Sequence, residues 1–155
     1  MADVHIIEDD VSGDAIRALV ASHIAALQAH SPPEKVHALP VDALLAPGVT
    51  LYSAWLGDDV AGMAAIRDLG DGNAELKSMR VAPAFLGKGV GEAMLRHLVG
   101  VARARGYARL YLETGKTAPF APAIALYRKY GFEPCPAFAD YVVDGFSQCM
   151  TLALR

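Results

Sequence analysis

A chain of 155 residues that is 54% hydrophobic and 20% charged has the composition of one globular domain, which excludes a disordered segment. Its 14 basic and 17 acidic residues leave a formal net charge of −3, which argues against nucleic acid or an anionic membrane as a partner. No apolar run approaches the roughly 18 residues of a membrane span, Met1 to Asp10 lacks the basic start of a signal peptide, and Cys135 and Cys149 form no Cys-x-x-Cys, so a cytoplasmic protein with ordinary thiols is expected.

Val4 to Ile7 reads as a first strand. Ser12 or Asp14 is placed to cap a helix whose Ile16, Leu19, Val20, Ile24 and Leu27 recur at helical spacing, and Pro32-Pro33 stops it. A short helix, ragged at Pro40, is expected around Val36 to Leu45. Thr50 to Leu56, Val60 to Asp68 and Ala74 to Val81 read as an antiparallel meander, with turns at Gly57-Asp58-Asp59 and Gly70-Asp71-Gly72-Asn73. A glycine-rich loop follows Pro83. From Gly91 the pattern is helical, with Val90, Met94, Leu98, Val101 and Ala102 on one face, Glu92 in the first turn, Arg103 and Arg105 in the last, and Gly106 as the cap. Leu110 to Leu112 is a short strand, Pro122 opens a helix closed by Gly131, and Phe146 to Leu154 is the final strand; a further short strand fits after Gly131. This order predicts an α/β sandwich with a mixed sheet.

The segment Leu86-Gly87-Lys88-Gly89-Val90-Gly91 lies between a strand and a helix. Glycines there allow close backbone approach, and the N–H groups of a helix start favour a phosphate or pyrophosphate. Lys88 either adds a charged contact or points into solvent. A Walker A loop is absent. A dinucleotide fingerprint would place Glu92 at its third glycine, and the spacer from Val81 to Gly87 is too long for its tight turn; only Glu113, ending the next strand where a ribose-binding acid would sit, favours it.

Ala74-Glu75-Leu76-Lys77-Ser78-Met79-Arg80-Val81, then Pro83 and Gly87 to Gly91, resembles the acetyl-CoA-binding core of the GNAT superfamily of N-acetyltransferases. Ala125-Leu126-Tyr127-Arg128-Lys129-Tyr130-Gly131-Phe132 resembles the same family's later motif, a helix carrying Tyr followed by Gly-Phe. The resemblance covers essentially the whole chain, read as one domain over 1–155. It implies the GNAT fold: a mixed, mostly antiparallel sheet flanked by helices, whose fourth and fifth strands, here Ala74–Val81 and Arg109–Glu113, splay around the pantetheine of acetyl-CoA. It implies that the backbone of Met79, Arg80 and Val81 binds the pantetheine and that Leu86, Gly87, Lys88, Gly89, Val90 and Gly91 hold the pyrophosphate. Two positions depart from the family: Leu86 stands where Arg or Gln is usual, and Phe120 where many members carry Asn.

Acetyl transfer to an amine needs a base for the ammonium, polarisation of the thioester carbonyl, and an acid for the departing thiolate. Tyr127 matches the family's Tyr beside the sulfur, and a phenol of pKa about 10 is protonated at neutral pH; otherwise it packs its helix on the sheet. Glu75 aligns with the strand-borne base of the histone-acetylating branch, and Glu113 competes with it or contacts the acceptor. A backbone N–H near Met79 or Val81 is the carbonyl polariser that the family implies. His23, His30 and His37 recur regularly, but Pro32-Pro33 breaks any shared face and no acidic pattern accompanies them, so no metal is expected. His30 and His37 fall where GNAT proteins build the acceptor pocket and are substrate-contact candidates; His97 reads as a surface residue. The long connection Pro134 to Phe146, with Phe138, Tyr141 and Asp144, either closes over the acceptor or packs in a homodimer. The expected activity is transfer from acetyl-CoA to a primary amine of a small molecule or peptide, by direct attack in a ternary complex. Leu86 and Phe120 motivate the alternative, a degenerate acyl-CoA-binding sensor or scaffold.

Overall fold

A computed structural model describes residues 3–37 and 39–155. The chain runs β1 (His5–Asp9), α1 (Asp14–His30), a 3-10 turn (Pro33–Lys35), α2 (Val41–Leu44), β2 (Val49–Leu56), β3 (Asp59–Asp68), β4 (Ala74–Val81), α3 (Val90–Ala104), β5 (Arg109–Gly115), α4 (Ala121–Lys129), β6 (Glu133–Cys135) and β7 (Ser147–Ala153). The strands form one sheet in the order β1-β2-β3-β4-β5-β7-β6. Every neighbouring pair is antiparallel except β4 and β5. The α/β architecture and the mixed sheet follow the sequence pattern, including the short strand after Gly131.

Two expectations about helix bounds and caps need correction. The helix expected over Val36 to Leu45 is only Val41–Leu44, with Pro40 at its N-cap and a 3-10 turn before it; residue 38 of the expected span lies outside the described residues. Proline at 40 fixes its own φ and disfavours helix just before it, so the helix starts late. Neither Ser12 nor Asp14 caps α1: Gly13 is the N-cap, and the Ser12 hydroxyl donates to Asp10 Oδ1 at 2.6 Å instead.

Alternation along the central strands sorts side chains to two faces. On one face α1 and α2 bring Ile16, Leu19, Val20 and Leu44 onto Leu51, Met63 and Ala65. On the other, Met94, Leu95, Leu98 and Ala102 of α3 pack on Ala64, Ile66, Leu76 and Leu110. Glycine is required where α3 crosses β3: a Cβ on Gly62 would lie 2.7 Å from Met94 Sδ and 2.9 Å from the Arg80 carbonyl oxygen. His97 is half-buried and stacks edge-on against Tyr52 at 5.0 Å, so it is a packing residue and not a free surface one. No helix among the described residues is long and apolar enough to cross a membrane.

The centre of the sheet is where the architecture opens. β5 pairs with β7 from Arg109↔Ala153 to Gly115↔Ser147, but with β4 only at Ala74↔Leu110 and Glu75↔Tyr111. Beyond Glu75 the two parallel strands part, as the resemblance implied for the fourth and fifth strands. On its other edge β4 bulges against β3. Met63 pairs with Arg80 and Ala65 with Lys77, so Ser78 and Met79 together face Ala64, and Ser78 sits at φ 55°.

Candidate active site

The loop before α3 is shaped by backbone demand. Gly87 and Gly89 have φ of 76° and 80°, the left-handed region that favours glycine. Gly89 is the N-cap of the 15-residue α3 and no side chain caps it, so the N–H groups of the first turn are free to receive an anion. Gly91 brings this turn close to its neighbours: a Cβ there would lie 3.3 Å from Val81 Cγ2 and 3.6 Å from Leu126 Cδ2. Glu92 is drawn to α4, accepting hydrogen bonds from Lys129 Nζ at 2.7 Å and Tyr130 Oη at 2.8 Å, which hold its carboxyl below the usual carboxylate range. Leu86 and Lys88 are exposed, and Val90 is buried in the core.

Where β4 and β5 part, the gap holds a cavity of about 130 Å³. Met79 on β4, Glu113 on β5, Tyr127 on α4 and His23 on α1 all line it. Tyr127 is buried, and its one hydroxyl contact among the described residues is a weak one, 4.0 Å to Met79 Sδ. Burial pushes its pKa up to about 12, so the phenol keeps its proton and has spare hydrogen-bonding capacity at the cavity wall.

Two carboxylates share this cavity in different states. Glu75 is 1% exposed and accepts a 2.5 Å hydrogen bond from the Tyr141 hydroxyl at Oε2. Lys77 Nζ lies 3.6 Å from the same oxygen, and Arg67 Nε, on the facing residue of β3, lies 3.8 Å from Oε1. Glu75 is thus embedded in a network of two cations and a phenol, and burial together with this neighbouring carboxylate drives the Tyr141 pKa upward. Glu113 makes no hydrogen bond or ion pair among the described residues. Burial pushes its pKa up to about 7, against the opposing pull of Lys77 and Lys35.

The remaining wall comes from the connection between β6 and β7. Tyr141 donates to Glu75 and accepts from Lys77 Nζ at 2.6 Å. Phe138 stacks between Tyr111 and Tyr141, with centroids 5.0 and 4.9 Å away, and His37 meets Tyr141 edge-on at 5.0 Å. Lys35 fastens the far end of the connection, reaching Asp144 Oδ2 at 2.9 Å, the Val142 carbonyl at 2.9 Å and Ser147 Oγ at 3.1 Å. Within Pro134 to Phe146, Tyr141 lines the cavity.

The expected site residues therefore divide. Glu75, Met79, Glu113, Tyr127 and His37 line one cavity, with Arg80 and Val81 farther along β4 and Leu86 to Gly91 forming the loop beyond them. His30 does not join them: it ends α1 with an exposed side chain, and His23, earlier on the same helix, is the histidine that α1 buries at the cavity wall. His23, Lys35 and Lys77 line the cavity without having been site candidates in the sequence, and Tyr141 was one only as part of the long connection that either closes over the acceptor or packs in a homodimer. Aromatic residues in a long connection were the one signal available for Tyr141.

A sequence model of the acetyltransferase (GNAT) family matches residues 17–132. The chain is 44% identical to the uncharacterized N-acetyltransferase YsnE of Bacillus subtilis over 151 residues, which is 97% of this chain and 100% of that protein. It is 47% identical to the uncharacterized N-acetyltransferase YedL of Escherichia coli over 146 residues, covering 94% of this chain and 92% of that one. Among solved structures it is similar to a GNAT family acetyltransferase from Elizabethkingia anophelis with acetyl-CoA bound, with a TM-score of 0.72 and 19% identity over 99% of each chain. At that identity the likeness is one of fold.

Proposed function

The chain belongs to the GNAT acetyltransferase family, and on that premise we propose that it moves the acetyl group of acetyl-CoA to a primary amine of a small molecule or peptide, by direct attack within a ternary complex. The observation that carries this reading is the cavity in the β4–β5 fork, where a protonated Tyr127 and a carboxyl of raised pKa, Glu113, face one space. The residues present fit acetyl-CoA. Past Glu75, β4 has no partner on its β5 side, which leaves the backbone of Met79, Arg80 and Val81 to pair with an extended pantetheine. The uncapped start of α3, with Gly87 and Gly89, suits the pyrophosphate.

Acetyl-CoA supplies the acyl group already activated as a thioester. Glu113 takes a proton from the incoming ammonium, a role that its pKa of about 7 suits near neutrality. The amine nitrogen then forms its bond to the carbonyl carbon, and a backbone N–H near Met79 or Val81, beside the β4 bulge, stabilises the charge that develops on oxygen. As the carbon–sulfur bond breaks, Tyr127 donates its proton to the leaving thiolate, and the second proton that the nitrogen sheds in becoming an amide restores the phenol. Glu75 is less suited to the base role than Glu113, because Tyr141, Lys77 and Arg67 already occupy it. In this reading Glu75 fixes Tyr141 and Lys77 at the wall.

Calorimetric titration with acetyl-CoA, with NADH as the control, and CoA release in an amine mixture test the proposal. Binding of acetyl-CoA alone together with amine-dependent release is the expected result. Binding without release from any amine would leave the sensor or scaffold alternative, and no binding would sink the reading of the Gly87 to Gly91 loop.

A further inference from the structure

Native proteins seldom bury a donor or acceptor unpaired without a reason. Among the described residues, His23 Nδ1, Glu75 Oε1, Ser78 Oγ and Arg80 Nε are buried with no hydrogen-bond partner. His23, Glu75 and Ser78 line the cavity, and Arg80 is close by on β4. The cluster does not follow from chance packing on one strand, because His23 comes from α1. Burial, with the charges of Arg80 and Lys77 nearby, pushes the His23 pKa down to about 4, so it presents a neutral imidazole.

Charge divides the cavity into two walls. On the β4 side, Lys77 and Arg67 flank a single carboxylate, Glu75, and Arg80 stands near His23. The Lys77 side chain is 8% exposed; it donates a hydrogen bond to Tyr141 at 2.6 Å and is ion-paired with Glu75 at 3.6 Å. An ammonium has three donors, so Lys77 retains capacity for an anion. On the β5 side stands Glu113, and the nearby Lys35 is committed to Asp144 and two oxygen acceptors. A ligand matching both walls carries a cationic amine at one end and an anion at the other. A cavity of about 130 Å³ suits a small molecule.

Resting on the acetyl-transfer reading, we infer that the acceptor is a small amino acid, and that Lys77, Ser78 and His23 bind its carboxylate while Glu113 receives its amine. The carboxylate accepts from the Lys77 ammonium and the Ser78 hydroxyl, and from His23 when its tautomer carries the proton on Nδ1. This fills two of the unpaired positions and orients the nitrogen toward the β5 wall, where acetyl transfer removes its charge. A plain alkylamine leaves Ser78 and His23 unpaired and gains nothing from Lys77.

The test gives the full-length protein acetyl-CoA and matched pairs: serine with ethanolamine, alanine with ethylamine, glycine with methylamine. CoA release is compared at near-neutral pH, where both members of each pair are almost wholly the ammonium that Glu113 receives. The amino acid of each pair should have the higher kcat/KM by roughly tenfold to a hundredfold, the usual range for hydrogen bonds to a charged group. Lys77→Met should bring that ratio to near unity, Lys77→Arg should retain most of it, and Ser78→Ala, which keeps every charge, should lower it several-fold. Equal use of both members of each pair, or a ratio that survives Lys77→Met and Ser78→Ala, overturns the inference and leaves acetyl transfer standing. If no pair releases CoA although acetyl-CoA binds, titration of serine into the CoA complex decides: binding weakened by Ser78→Ala sustains the carboxylate site, and no binding overturns it. Failure to bind acetyl-CoA overturns the parent reading along with this one.

Discussion

On the face covered by α3, Leu76 of β4 and Leu110 and Leu112 of β5 meet Met94, Leu95 and Leu98, apolar against apolar. On the face crossed by α1, alternate residues of the same two strands are Glu75, Lys77 and Glu113. Both faces draw side chains away from water, and they use that burial differently. Against α3 it supplies stability, because apolar surface leaves water. Beneath α1 it raises the proton affinity of Glu113 and leaves polar atoms of His23 and Ser78 unpaired, which costs stability and equips the site.

The largest expected effect lies on the packed face. Leu98→Ala should cost about 2–5 kcal/mol of unfolding free energy, because Leu98 is fully buried and its neighbours collapse only partly into the space. His23→Leu on the other face should cost under about 1 kcal/mol or stabilise, since it removes an unpaired buried nitrogen. Urea titrations of both variants measure the contrast directly, and equal losses would abolish it.

Tyr127→Phe comes next. It should lower kcat by about a hundredfold, with KM for acetyl-CoA nearly unchanged and stability held or slightly raised. A loss confined to KM would return Tyr127 to a packing role. Glu113→Gln should lower kcat/KM by about tenfold or more and flatten the acid limb of the pH profile, which in the parent rises with pH through about 7. The stability consequence has the opposite sign. The Glu113 pKa rises from 4.5 to about 7 on folding, so the native state holds a proton that the unfolded chain releases, and this stabilising contribution fades as pH climbs through 7. Thermal unfolding at pH 8 should therefore find Glu113→Gln more stable than the parent, with the difference shrinking toward pH 4. The smallest effect belongs to the loop: Leu86→Arg, at a position 66% exposed, should tighten acetyl-CoA by about twofold to fivefold in low salt and lose that gain as salt screens it.

These regions also differ in how far the sequence reveals them. The succession of elements along the chain, the α3 stripe and the Gly87 to Gly91 loop are legible because each is a local demand: a period along the chain, or a φ that glycine adopts most easily. Tyr127 is legible through its place in a short motif. Glu75 is legible only in part. Its position on β4 suggests a base, but its availability depends on Arg67 across the hairpin and on Tyr141 from a distant connection. No periodicity announces a contact between residues 75 and 141. His23 illustrates the same gap: in the sequence it is one of three regularly spaced histidines, and only the crossing of α1 over β4 separates its role from that of His30.

The narrow junction at Ala74↔Leu110 and Glu75↔Tyr111 also has a mechanical side. The sheet is two ribbons, β1 to β4 and β5-β7-β6, each continuously laced and joined to the other by little more than a stitch. The first ribbon's β2, β3 and β4 follow one another through short turns, so they close small loops and can assemble early; the second waits for β7, which arrives at the end of the chain. A pantetheine arm lying in the fork would act as a missing filament between them, so the molecule should be stiffest while occupied and should flex along this one line when empty.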